Sequence, residues 1–389
     1  MRVLILHNRY QLRGGEDSVV EEESNLLRSH GVEIEQLIVD NESIHGFLQK
    51  SITAFNSLYS WPARRIVEAR LARFQPTVMH AHNFFPRLSP SVYDAAAHAR
   101  VPVVQTIHNF RVVCANGLLF REGHVCEECL GRAFGWPAVV HACYRESRAG
   151  SAVVSLMNAM HRGLGTWQNK VTRYIVLTEF IRELMVSRGV LPARRVVIKP
   201  NAAADFGTGA GSGGYALYVG RLSPEKGVRT VLDAWKENSP AVPLKIAGDG
   251  AMRPEVEAVS GGNNIEYLGQ VSKERVGQLM RNALVLIIPS LCYEGLPVVV
   301  PEAFSASLPI IASNLGSLGT LIAPGETGVL VPPGDAVSLR TAVKNLSESP
   351  ALLSQMRVRT RQVYEQLYRP ESNLKLLLGI YEDAISALR

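Results

Sequence analysis

Short apolar runs alternate with longer stretches in which apolar positions recur every three or four residues. VLILH (3–7), VEIEQLIV (32–39), TVMHAH (77–82), VPVVQTIH (101–108) and YIVLT (174–178) have the length and β-branched content of strands. Between the first two, SVVEEESNLLRSHG puts Val19, Val20, Leu26 and Leu27 on one helical face, with Gly31 as its expected cap. Strands separated by helices call for crossover connections, so the pattern predicts a parallel sheet covered on both faces. A second series follows: YALYVG (215–220), PLKIAG (243–248), IEYLG (265–269), ALVLIIP (283–289), PIIAS (309–313) and GVLVP (328–332).

The expected architecture is α/β, with two doubly wound, Rossmann-like domains and ligands beyond the carboxyl ends of the strands. The boundaries read as 1–202 for the first domain and 215–369 for the second. The small-residue stretch AAADFGTGAGSGG marks a flexible linker over 203–214. A final helix over 370–389 carries Leu374, Leu377, Leu378, Tyr381 and Ile385 on one face, and its pattern does not say which domain it covers.

Length and composition agree with two domains. The chain has 389 residues, 47% hydrophobic and 20% charged, enough for two cores. No apolar run approaches the roughly 20 residues of a membrane span, and the N-terminal apolar run is too short for a signal peptide. These features predict a cytoplasmic protein. The net charge of +6 is uneven: residues 1–200 hold 24 Lys and Arg against 17 Asp and Glu. A basic first half suits an anionic partner or a solvated surface equally, and there is no recognisable nucleic-acid module.

Chemistry concentrates in the loops after strands. Gly14 and Gly15 follow the first strand and precede a helix, where bare backbone N–H groups can approach an anion or simply form a turn. Arg221 follows a strand directly and Lys226 lies five residues on, two cations that could grip a diphosphate. In SLCYEGLPVVVPEAF, Glu294 follows a strand, Pro297 suits a first helical turn, and Gly295 and Leu296 offer backbone N–H groups. On a continuous helix Glu302 would lie two turns beyond Glu294, roughly 12 Å away, an interval that suits the two ends of an elongated ligand, while Pro301 suggests that the helix proper starts late or bends there. His108 also ends a strand and is a candidate for the same site.

Together these segments resemble the family-4 retaining glycosyltransferases of the GT-B fold. GGEDSVVEEESNLLRSHG resembles that family's first loop and helix, VGRLSPEKG its diphosphate loop, EGLPVVVPE its Glu-x7-Glu motif and PGETGVLVPPGD the segment that follows. The resemblance spans nearly the whole chain. It implies a hexosyl-type transfer from a nucleotide-diphosphate sugar to a glycan or lipid-linked acceptor, as in cell-surface polysaccharide synthesis. Arg221 and Lys226 would neutralise the diphosphate, Glu302 would hold the ribose, and Glu294, Gly295 and Leu296 would bind the donor sugar. Gly14 and Gly15 would touch the phosphate, His108 the sugar, and the Gln270–Val271 backbone the base. The last helix would return to the first, acceptor-side domain, and no metal would be required for transfer. Pro301 and Thr320 depart from the family pattern and leave the sugar open. A nucleotide-sugar epimerase or hydrolase and a non-catalytic anion-binding protein are the alternatives.

Cys114, Cys126, Cys129 and Cys143 fall in one segment, with 11, 2 and 13 residues between them. The set suits a structural zinc site, buried thiols or a labile disulfide. SAVVSLMNAMHRGLGTW, flanked by Arg145, Arg148 and Arg162, reads as a core helix or as a surface leaning on the inner face of the plasma membrane.

Overall fold

The computed structural model describes residues 1–9, 14–41, 46–236, 242–262 and 264–388. They divide into two compact units. Met1–Leu119, Cys126–Pro200 and Asn373–Arg389 form the first; Phe120–Val125 and Asn201–Ser372 form the second.

The strands, in chain order, are β1 (Arg2–Asn8), β2 (Glu33–Val39), β3 (Val78–Asn83), β4 (Val103–Ile107), β5 (Phe120–Arg121), β6 (His124–Val125), β7 (Arg173–Val176) and β8 (Val196–Ile198). Then follow β9 (Ala216–Val219), β10 (Leu244–Ala247), β11 (Ile265–Gly269), β12 (Val285–Ile288), β13 (Ile310–Ser313) and β14 (Gly328–Val331). The first unit's sheet runs β2-β1-β3-β4-β7-β8 and the second β11-β10-β9-β12-β13-β14; every pairing in both is parallel. This is the doubly wound α/β arrangement that the alternating pattern predicts. The short β8 and the antiparallel β5–β6 hairpin were not foreseen; two or three residues carry too little periodicity to register as strands.

Each sheet has a switch point, where successive strands depart to opposite sides. It lies between β1 and β3 in the first unit and between β9 and β12 in the second. Loops leaving neighbouring strands there diverge and leave a crevice at the carboxyl edge.

One face of the first sheet is apolar at its base, with Val3, Ile5, Val78, Val104 and Ile175. Val20 and Leu27 of the helix Gly15–Ser29 and Leu374, Leu377, Tyr381 and Ala384 of the helix Pro370–Ser386 pack on it. The side-chain period of two carries this face upward to His80 and Thr106, both buried. Near the carboxyl end the β1–β3 register shifts: Leu6 faces Ala81 but His7 faces Asn83, leaving His82 as the extra residue.

Residues 203–214 are not the free linker their composition suggests. Backbone N–H groups of Gly209, Gly211 and Gly213 donate to Ala306, Arg281 and Asn282, and Arg361 grips both Asp205 oxygens at 2.7 Å. Glycine is needed at 209, where a Cβ would stand 2.2 Å from the Arg281 carbonyl oxygen. The small residues therefore serve close backbone approach. No helix among the described residues is long and apolar enough to cross a membrane.

Candidate functional site

Two of the expected donor-binding residues, Lys226 and Glu294, meet at the second unit's switch point, with Arg221 on the same loop as Lys226. Arg221 and Lys226 follow β9, Glu294 follows β12, and β9 and β12 are neighbours. After β9 the chain enters a 3-10 turn, Pro224–Lys226, and Gly227 in the left-handed region at φ 71°. A Cβ on Gly227 would lie 1.9 Å from the Pro289 carbonyl oxygen. With none there, the two loops press together and Leu291 N–H donates to the Glu225 carbonyl at 2.8 Å.

That approach joins Lys226 to Glu294. The ammonium donates to both carboxylate oxygens, at 2.6 and 2.8 Å, and Ser290 Oγ donates to one of them at 2.6 Å. Glu294 is buried and Lys226 half-buried. Burial pushes the Lys226 pKa down, but the adjacent carboxylate outweighs this and the net shift is upward, so the ammonium stays charged. Cys292 lies beside the pair; burial and the Glu294 charge raise its thiol to about 12. Arg221 is exposed on the same loop. Tyr218 O–H donates to the Arg221 carbonyl at 2.8 Å and holds that backbone in place.

The helix after Glu294 does not start at Pro297 but later, as the presence of Pro301 in the motif suggests. It spans only Val299–Ser305, so Pro297 precedes it and Pro301 occupies its first turn, where a missing N–H costs little. Glu294 and Glu302 therefore do not share a helical face, and the 12 Å interval derived from a continuous helix does not apply. Glu302 is buried in the first turn of this short helix. Gly295 is half-buried and Leu296 buried in the preceding bend. Gln270 and Val271 directly follow β11 at the same edge of the sheet.

In the first unit, the Gly14–Gly15 segment opens the helix Gly15–Ser29. The Gly14 N–H is already taken by Asp17 Oδ2 at 2.9 Å, so a carboxylate sits where an anion was expected. Asp17 Oδ1 is also 2.8 Å from His7 Nε2. His108 follows β4 and is half-buried in a group that the sequence reading did not identify. His82 Nδ1 is 3.0 Å from His108 Nε2, and Glu23 Oε1 is 3.4 Å from both His82 Nε2 and His80 Nδ1. Lys199 Nζ donates to Glu23 Oε2 at 2.9 Å. Two signals in the sequence point to this group. His-x-His on a strand puts both imidazoles on one face, and Glu23 occupies the apolar face of its helix, four residues from Val19 and from Leu27.

Glu23, His80 and His82 offer three donor atoms within 4.8 Å of one another. A cation fits poorly there, because Lys199 already neutralises Glu23. Both His80 nitrogens are also engaged, Nδ1 with Tyr381 O–H at 2.7 Å and Nε2 with Thr106 Oγ1 at 2.8 Å.

The cysteines share a neighbourhood. Burial raises the Cys129 thiol to about 11, and the nearby Cys114, Cys143 and Cys126 add to the shift. The described cysteines form no disulfide. Among the described residues their sulfurs are not a set of three or more donors within 4.8 Å, so a four-thiolate zinc site is not preformed. The helix Arg148–Gly163 buries Ser151, Val154, Ser155, Met157 and His161, as a core helix does.

Residues 209–363 match the family described as Glycosyl transferases group 1. Over 236 residues the chain is 27% identical to an alpha-D-kanosaminyltransferase of Streptomyces kanamyceticus, covering 55% of this chain and 61% of that protein. It is 30% identical over 214 residues to a phosphatidyl-myo-inositol mannosyltransferase of Mycobacterium leprae, covering 52% and 57%. The chain thus spans about three fifths of the length of these curated relatives. Among solved structures, a sucrose-phosphate synthase from Thermosynechococcus elongatus superposes with a TM-score of 0.73 at 18% identity, covering 99% of each chain. Anabaena HepE in complex with UDP-glucose superposes at 0.67 with 14% identity, covering 97% of this chain and 98% of that one. The fold is GT-B.

Proposed function

We propose that this chain, whose second unit belongs to the group 1 glycosyltransferases, transfers a hexosyl group from a nucleotide-diphosphate sugar to a glycan or lipid-linked acceptor, retaining the anomeric configuration. The observation that carries the reading is the Lys226–Glu294 pair at the β9–β12 switch point, with Arg221 on the same loop as Lys226.

The chemistry follows from charge. When the glycosidic bond to the diphosphate breaks, negative charge grows on the leaving oxygen. Lys226 as a point charge and Arg221 as a planar fork stabilise that charge where it develops. A diphosphate competes with Glu294 for the Lys226 ammonium. Its arrival frees carboxylate oxygens to accept hydrogen bonds from sugar hydroxyls, with the backbone of Gly295 and Leu296 alongside. Ser290 continues to orient the carboxylate. In this reading Glu302 accepts from the ribose hydroxyls and the Gln270–Val271 backbone meets the base. His108 is the group that substrate meets on the first unit, and a phosphate reaching the Gly14–Gly15 backbone would have to displace Asp17 from the Gly14 N–H. Same-face attack assisted by the leaving phosphate accounts for retention without a protein nucleophile.

The test is a panel of nucleotide-diphosphate sugars, scored by thermal stabilisation and by release of the nucleoside diphosphate with an acceptor. The expected result is one preferred donor, with stabilisation lost in Lys226→Ala. Stabilisation by none of the panel, or by all of it equally in the variant, would overturn the reading.

A further inference from the structure

The histidines of the first unit form a line that starts at a buried charge. Lys199 and Glu23, both buried, make an ion pair at 2.9 Å through Glu23 Oε2. The other carboxylate oxygen, Oε1, and His82 Nε2 are buried atoms with no well-formed hydrogen bond, and they stand 3.4 Å apart. On its far side, His82 Nδ1 is 3.0 Å from His108 Nε2, with the two ring planes 20° apart. The line runs from a loop after β8, through a helix, to the carboxyl ends of β3 and β4.

The protons on this line can be assigned. Burial lowers the pKa of both His82 and His108, so each is neutral at neutral pH, with one N–H and one lone pair. Burial alone would raise the Glu23 pKa, but Lys199 and the two nearest imidazoles outweigh it, and the carboxylate is ionised. An ionised carboxylate only accepts, so the His82 proton belongs on Nε2. His82 Nδ1 must then accept, and His108 must donate from its own Nε2. The remaining nitrogen of His108, Nδ1, carries a lone pair.

We propose that Lys199, Glu23 and His82 are positioning residues that hold His108 as its Nε2–H tautomer, so that Nδ1 accepts a hydrogen bond from a hydroxyl of the bound sugar. This rests on the reading in which His108 touches the sugar. It gives His108 the role of acceptor and denies it that of proton donor to the leaving group. It also explains a buried carboxylate on a helix face, with a buried ammonium opposite it, where apolar residues would pack as well.

The test uses the full chain labelled with [15N]histidine. Two-bond 1H–15N spectra distinguish a protonated ring nitrogen from a bare one, and His82→Gln and His108→Gln assign the signals. In the unaltered protein both residues should show a bare Nδ1 and a protonated Nε2. In Glu23→Gln, His108 should become a tautomer mixture. Its kcat/KM with the preferred nucleotide sugar should fall about tenfold, the scale of one lost hydrogen bond. A donor lacking the contacted hydroxyl should show no such drop. His108 protonated at Nδ1 in the unaltered protein would overturn the proposal, whether or not the variant folds. So would a folded Glu23→Gln protein with unchanged tautomer and rate. Transfer activity with the wrong tautomer would sink the relay and leave the glycosyltransferase reading intact. Absence of transfer with the expected tautomers would remove the sugar-acceptor role and establish only the proton pattern.

Discussion

Lys226 and Glu294, 68 positions apart in the chain, are joined by two hydrogen bonds of 2.6 and 2.8 Å. Neither side chain is fully in water, so each stabilises the other's charge more than an exposed pair would. The same geometry places both at the end of adjacent parallel strands, where the proposed donor binds.

Lys226→Ala leaves Glu294 without its counter-charge. The expected loss of stability is about 1–3 kcal/mol, below the full cost of breaking a buried pair because Lys226 is partly solvated. Turnover should fall about 10²- to 10³-fold, as when a preorganised group is removed from developing charge. Adding Glu294→Gln to the lysine variant should restore part of the stability and none of the turnover. Denaturant melts and steady-state rates on the two single variants and the double one check this. Near-normal turnover in Lys226→Ala would count against the diphosphate role.

Gly227→Ala tests whether the loop contact builds the site. The residue has φ 71°, and the added Cβ would stand 1.9 Å from the Pro289 carbonyl oxygen. Backbone must move, at a cost of at least about 2 kcal/mol. The same movement should separate Lys226 from Glu294 and raise KM for the donor. A melt and a KM like those of the unaltered protein would show that the contact is not required.

Acid should destabilise the first unit early. His80, His82 and His108 all have lowered pKa values, with burial the main cause. Below about 6.5 the unfolded chain takes up protons that the folded chain does not, so stability falls as pH drops through that value. Glu23, held below its ordinary range, adds stability that is lost only at lower pH, as it falls through the folded value. His7, which bonds Asp17, and Lys199 and Tyr381 also pack against the group. The melting temperature should drop between about pH 7.5 and pH 5.5, and less so in His80→Gln. A flat profile would mean that the imidazoles take up protons as readily in the fold as in the unfolded chain.

The cysteine cluster makes a chemical prediction. Cys126 and Cys143 are half-buried and should react with a thiol reagent in the native protein, while the buried Cys114, and Cys129 and Cys292 with thiols raised to about 11 and about 12, should react slowly. Two fast thiols and three slow ones are expected in the native state, and five after unfolding. Protection of four thiols together, with release of one zinc per chain on their modification, would instead establish the metal site.

The chain's periodicity alone determined the α/β class, the two strand series and the loops that carry Arg221, Lys226 and Glu294. These are local properties: alternation, run length and the residues that end a strand. Close packing alone decided what lies beyond them. The Lys226–Glu294 bond depends on a glycine against a carbonyl, and the tethered 203–214 segment on backbone partners far along the chain. The line from Lys199 to His108 is the clearest case. Its members come from one helix, two strand ends and a loop. Only the stacking of those layers brings a buried charge to an imidazole, where the loss of water turns ordinary polar residues into a single proton arrangement.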